Sequence, residues 1–123
     1  MKSLLLVAHG SRRAESNTEI EAVAESLRAR VGDQFGVTSH AFLELTEPSI
    51  PNAIDQLITD GATEIIILPY FLSAGRHVHE DIPAIIEAKQ NQHENVKFQM
   101  APYLGEAGEM IEVLARLTLQ IDE

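Results

Sequence analysis

Cysteine and tryptophan are both missing from this 123-residue chain. Without cysteine there is no disulfide framework, no thiolate metal site and no cysteine nucleophile. Positive charge is scarce: nine Lys and Arg face nineteen Asp and Glu, a formal net charge of −10. That balance argues against general nucleic-acid binding, which needs a basic face, and disfavours anionic membranes. Long apolar runs are missing too. The longest, from Ile65 to Leu72, is too short for a bilayer and is interrupted by Pro69. An apolar strand begins almost at the amino terminus and leads straight into His9-Gly10-Ser11-Arg12, unlike a signal peptide with its long apolar core and cleavage site. The expectation is a soluble, cytoplasmic protein forming one domain over residues 1–123.

Four strand–helix units are legible. Ser3–Ala8 is a near-continuous apolar run, as befits a parallel strand buried on both faces. Ser16-Asn17-Thr18-Glu19 has the spacing of a capping box and predicts a helix start, with Ile20, Val23, Ala24, Leu27 and Val31 on one face and Gly32 at the end. Val37–Glu44 alternates as a second strand, Pro48 suits the first turn of a second helix, and Ile50, Ala53, Ile54, Leu57 and Ile58 form its apolar stripe up to Gly61. Thr63–Leu68 is rich in β-branched residues and reads as a third strand. Pro83 opens a helix running to about Asn91, Val96–Met100 is a short strand, and Glu106–Gln120 a final amphipathic helix. Strands alternating with helices predict an α/β fold: a three-layer open sheet of four mainly parallel strands flanked by helices.

The chemistry gathers where strands end. His9 follows the first strand and precedes Gly10, a residue that permits a tight turn and close backbone approach. A second loop, after the third strand, carries Gly75, Arg76, His77, His79, Glu80 and Asp81. In an open α/β sheet such carboxyl ends converge on the ligand crevice. Imidazole is the commonest metal ligand and titrates near neutrality, so two imidazole-bearing loops predict a metal or proton-transfer site. Glu80 and, largely, Asp81 read as acidic residues complementing a helix dipole. Glu44, at the end of the second strand, either joins the crevice, where carboxylate and imidazole suit a divalent first-row metal, or lies on the surface. His40 reads as a packed or hydrogen-bonded histidine and His93 as a solvated one. Three of the nine cations, Arg12, Arg13 and Arg76, lie in the two histidine loops.

At these residues the chain resembles a known family. Leu-Val-Ala-His-Gly-Ser-Arg near the start, Phe42-Leu43-Glu44 before Pro48-Ser49-Ile50, and Pro-Tyr-Phe-Leu-Ser-Ala-Gly-Arg-His-Val-x-x-Asp-Ile-Pro from Pro69 to Pro83 are similar to the CbiX family of sirohydrochlorin chelatases, in its short, single-domain form. The similarity spans essentially the whole chain and keeps motif order. It implies a class II, ATP-independent chelatase that inserts Co²⁺ into sirohydrochlorin in cobalamin biosynthesis, the divalent metal being substrate and no organic cofactor being needed. Fe²⁺ and Ni²⁺ remain alternative metals.

The resemblance places metal-binding histidines at His9 and His77 and an acidic active-site residue at Glu44. His79 falls at a variable position of the motif. Sirohydrochlorin carries many carboxylates, for which Arg12, Arg13 and Arg76 are candidate partners, with Gly10, Ser11 and Gly75 as close-approach positions in the same loops. Short members of the family pair as homodimers, and dimerisation through sheet-edge helices would supply a second wall for the macrocycle. Two rivals stand beside this reading. Histidine phosphatases also place His-Gly-x-Arg after their first strand, but Ala8 occupies the place of their arginine. A non-enzymatic metal or tetrapyrrole carrier would use the same ligands for holding alone.

Overall fold

A computed structural model describes residues 1–121. Its strands are β1 (Lys2–Ala8), β2 (Val37–Phe42), β3 (Glu64–Pro69) and β4 (Lys97–Met100), and its helices α1 (Ala14–Val31), α2 (Ile50–Thr59), α3 (Ile82–Gln92) and α4 (Glu109–Thr118). All pairings are parallel, in the order β2-β1-β3-β4. The predicted α/β sheet is therefore present, and wholly parallel. β1 occupies an interior position and is buried from Ser3 to Ala8, the reason its sequence is apolar throughout.

Sheet faces divide the helices. Leu5, Val7, Ile65 and Ile67 meet Ile50, Ala53, Ile54 and Leu57 of α2 and Ile82 of α3 in one core, each Val, Leu or Ile side chain contributing about 1.5–3 kcal/mol by burial. Helix α1 lies across the other face, mainly over β2, and buries only Ala24 fully; Ile20, Val23, Leu27 and Val31 are half-buried.

Helix starts depart from the sequence expectation. α1 begins at Ala14 with Arg13 as its cap, so Ser16 lies inside the first turn and no capping box forms. Asn17 is diverted: its amide accepts from the Ser11 N–H at 3.0 Å and donates to the Ser11 carbonyl at 2.8 Å. These two bonds tie the first turn of α1 to the loop after β1. Pro48 lies outside α2; Ser49 caps that helix, its hydroxyl accepting from the Asn52 N–H at 3.2 Å, and Pro51 occupies the first turn. Ahead of α3, residues His77–Asp81 form a π-helical turn, closed by Ile82 N–H to the His77 carbonyl. α4 starts at Glu109, because Leu104–Glu106 coil into a separate 3₁₀ turn.

Candidate functional site

The carboxyl edge of the sheet is laced together beyond the strands themselves. Leu43 N–H donates to the Ala8 carbonyl at 2.8 Å and Glu44 N–H to the His9 carbonyl at 3.0 Å. The Tyr70 N–H reaches the Val7 carbonyl at 2.8 Å. The three loops after β1, β2 and β3 thus leave the sheet side by side. Gly10 makes the first crossing possible: its φ is +98°, and a Cβ there would collide with the Glu44 carbonyl oxygen. On the other side of Glu44, Leu45 is held at φ +74°, a conformation costing a non-glycine residue about 1–2 kcal/mol.

This lacing carries Glu44 to His9. His9 Nε2 lies 2.9 Å from Glu44 Oε2 and its Nδ1 lies 3.0 Å from the Gly10 carbonyl. Both neighbours are acceptors, so a neutral ring can donate to only one and the imidazolium satisfies both.

His77 enters from the third loop. In the turn His77–Asp81, Val78 and Ile82 are buried and anchor the segment, while His77 and Asp81, also four apart, are half-buried and meet each other. His77 Nδ1 is 2.8 Å from Asp81 Oδ2. That contact assigns the proton to Nδ1 and leaves the Nε2 lone pair for a metal, the orientation second-layer carboxylates impose on ligating histidines. Asp81 is thus a partner of His77, a correction to its reading as a dipole-complementing residue. The i, i+4 spacing of His77 and Asp81 was the available signal.

The two histidine rings meet with centroids 4.9 Å apart at 54°, and Phe71 flanks His77 at 6.2 Å. Two crevices open among these loops, one bordered by His9 and the other by Val78 and His79. One, of about 240 Å³, is lined by His9, Gly10, Ser11, Asn17, Ile20 and Tyr70 among others. The larger, about 540 Å³, is lined by Val78, His79, Met100, Tyr103 and Glu106 among others, so His79 faces a different space from His9. Arg12, Arg13 and Arg76 are exposed, and among the described residues none of the three enters an ion pair. Ser11 is used internally, its hydroxyl accepting from the Arg13 N–H at 3.0 Å. His40 packs edge-on against Phe42 at 5.6 Å, as its strand position implied. His93 is half-buried, 4.0 Å from Asp55, rather than freely solvated. No cluster of three or more histidine or acidic side chains forms a metal cage among the described residues. The site is an open pair of imidazoles, each held by a carboxylate.

A family model described as CbiX matches residues 3–120. The chain belongs to the CbiX family. This CbiX chain is 35% identical over 116 residues to a sirohydrochlorin cobaltochelatase of Methanococcus aeolicus, covering 92% of this chain and 80% of that one. It is 31% identical over 111 residues to the chloroplastic sirohydrochlorin ferrochelatase of Arabidopsis thaliana, covering 90% of this chain and 48% of the relative. The sirohydrochlorin chelatase SirB from Bacillus subtilis subspecies spizizenii, solved in complex with cobalt, superposes with a TM-score of 0.88 at 28% identity, over 98% of this chain and 50% of SirB. The CbiX chain thus spans only about half the length of several relatives that it matches.

Proposed function

We propose that this chain catalyses ATP-independent insertion of Co²⁺ into sirohydrochlorin, as a chelatase of tetrapyrrole biosynthesis. The observation that carries the reading is the His9–His77 pair, rings 4.9 Å apart, at the mouth of the sheet. The names of relatives with both cobalt and iron activities support the substrate and leave Fe²⁺ and Ni²⁺ as competitors.

Insertion exchanges one M²⁺ for two pyrrole N–H protons, forming metal–nitrogen bonds as those N–H bonds break. His77 offers the free Nε2 to the metal. His9 joins it as second ligand once Glu44 and its proton move off Nε2. The open coordination suits a metal that is passed on, since the remaining positions stay free for solvent and pyrrole nitrogens. Glu44, about half exposed, takes the released protons one at a time and returns them to water. Arg12, Arg13 and Arg76 meet the macrocycle's carboxylates, while Gly10, Ser11 and Gly75 allow close backbone approach.

A tetrapyrrole exceeds the crevice of about 240 Å³ beside His9, so a second copy supplies the facing wall in a homodimer. The same proposal treats residues 1–123 as one domain acting in the cytoplasm.

The test is anaerobic spectrophotometry of sirohydrochlorin with Co²⁺, Fe²⁺ and Ni²⁺ in turn. The protein should accelerate insertion above the spontaneous rate, fastest with Co²⁺. His9→Ala and His77→Ala should each lower turnover by about 10²-fold or more, and His93→Ala should leave it unchanged. Tight binding without acceleration would make the protein a carrier.

A further inference from the structure

Leucine occupies two exposed loop tips at the mouth of the sheet. Leu45, in the loop after β2, is 51% exposed, and Leu72, in the loop after β3, is 70% exposed. Their neighbours behave otherwise: Leu43 and Phe71 are partly buried and pack against the main core. A single exposed leucine is ordinary on a protein surface. Leu45 is not, because its backbone is held at φ +74°. Glycine or asparagine would hold that conformation with less strain, and neither would leave an isobutyl group in water. Within its own chain this leucine is unfavourable twice over, and backbone outliers of this kind collect at ligand sites.

Both tips adjoin the histidine pair. Glu44, one residue before Leu45, has its Oε2 2.9 Å from His9 Nε2. Phe71, one residue before Leu72, has its ring 6.2 Å from that of His77. The strand order β2-β1-β3 sets the His9 loop between the other two. Leu45 therefore stands on the β2 side of His9 and Leu72 on the β3 side, on strands about 10 Å apart across β1. Each tip is held by backbone contacts. Glu44 N–H bonds to the His9 carbonyl, and Gly105 N–H bonds to the Phe71 carbonyl, both at 3.0 Å. Gly105 also lies directly against the Leu72 carbonyl, where a Cβ would collide.

We propose that Leu45 and Leu72 are the apolar contacts for the flat face of the tetrapyrrole, one on each side of the histidine pair. This rests on the chelatase reading above and deepens it to how that substrate is recognised. Chemistry selects the occupant. Carboxylates surround the rim of the macrocycle and suit the arginines of the loops, whereas its centre is a plane of pyrrole carbon that apolar side chains complement. A macrocycle whose central nitrogens approach His9 and His77 extends sideways over the loops on both sides. Covering the two leucines then supplies attraction that does not depend on charge, in a chain whose net charge of −10 opposes a polyanion.

Titration of metal-free sirohydrochlorin into the metal-free protein, followed by the macrocycle's absorbance, tests this. Leu45→Gly and Leu72→Ser should each raise Kd by about 5- to 10-fold, the loss expected for burying the exposed part of a leucine. Leu45→Met keeps the apolar bulk and should bind as wild type does. Calorimetric Co²⁺ affinity without the tetrapyrrole should be the same in every variant. The urea midpoint of Leu45→Gly should equal or exceed that of wild type, because backbone strain is relieved. An unchanged Kd in the Leu45→Gly, Leu72→Ser double variant would overturn the proposal; altered sedimentation alongside it would assign the leucines to a contact between copies. A lowered urea midpoint for Leu45→Gly would also overturn it, by placing Leu45 in its own chain's packing. So would a parallel loss of Co²⁺ affinity, which would make the leucines supports of the histidines. None of these measurements reads metal insertion: a wild type that binds sirohydrochlorin through these leucines yet inserts no metal would sink the chelatase reading alone.

Discussion

His77 and His9 are chemically the same residue placed in different company. Asp81 accepts a hydrogen bond from the Nδ1–H of His77 and leaves Nε2 open, whereas His9 has an oxygen acceptor at each nitrogen. Asp81 is a positioning residue: it holds the ring through Nδ1 at 2.8 Å. Asp81→Ala should weaken Co²⁺ binding and slow insertion by about 10- to 100-fold, the usual scale for such partners. Asp81→Asn keeps an acceptor for Nδ1–H and should lose markedly less. Calorimetric titration with Co²⁺ alongside steady-state kinetics checks both. Equal losses for the two variants would mean that charge, rather than orientation, is what Asp81 supplies. Sequence pattern exposed the histidines because each ends an apolar strand. It did not single out Asp81, because an acidic residue ahead of a helix is ordinary and the i, i+4 spacing to His77 gains meaning only once the turn is built.

Among the elements, β1, β3 and α2 follow most directly from local pattern. Their apolar residues fall at the period of the structure they adopt, and burial on the sheet reinforces that choice. α2 shows the energetics. Leu57→Ala removes a buried side chain and should cost about 2–5 kcal/mol in urea unfolding. Leu27→Ala in half-buried α1 should cost clearly less by the same measurement. If the two costs were equal, α1 would be packed more tightly than its exposure indicates. Helix boundaries were less legible because long-range partners decide them. α1 starts at Ala14, which puts Ser16 inside the first turn and forms no capping box, while Asn17 bonds back to Ser11; Ser49 supersedes Pro48 as the start of α2. The π turn at His77–Asp81, which buries Val78 and is followed by buried Ile82, has no periodic signature in a five-residue segment.

For the molecule as a whole, charge is distributed to a purpose. A chain of net charge −10 repels a polycarboxylate at long range, yet Arg12, Arg13 and Arg76 stand exposed in the loops of the site. The proposed attraction is therefore local, between groups within a Debye length, about 8–10 Å at physiological salt. Raising ionic strength from about 0.05 M to about 0.5 M should raise KM for sirohydrochlorin several-fold with little change in kcat, and Arg76→Glu should raise KM further at low salt. A KM indifferent to salt would remove the arginines from substrate binding.

By itself the sequence determined the parallel α/β architecture, the net negative charge and the placement of His9 and His77 at strand ends. Those properties depend on periodicity, composition and the order of residues along one strand. Tertiary structure alone decided which groups touch: Glu44 on His9 through the β1–β2 lacing, Asp81 on His77 through a π turn, His79 in another crevice, and Leu45 and Leu72 left exposed at loop tips. The reason is physical. A side chain's partner is set by the directions of several backbone segments at once, and those directions exist only after the sheet has assembled.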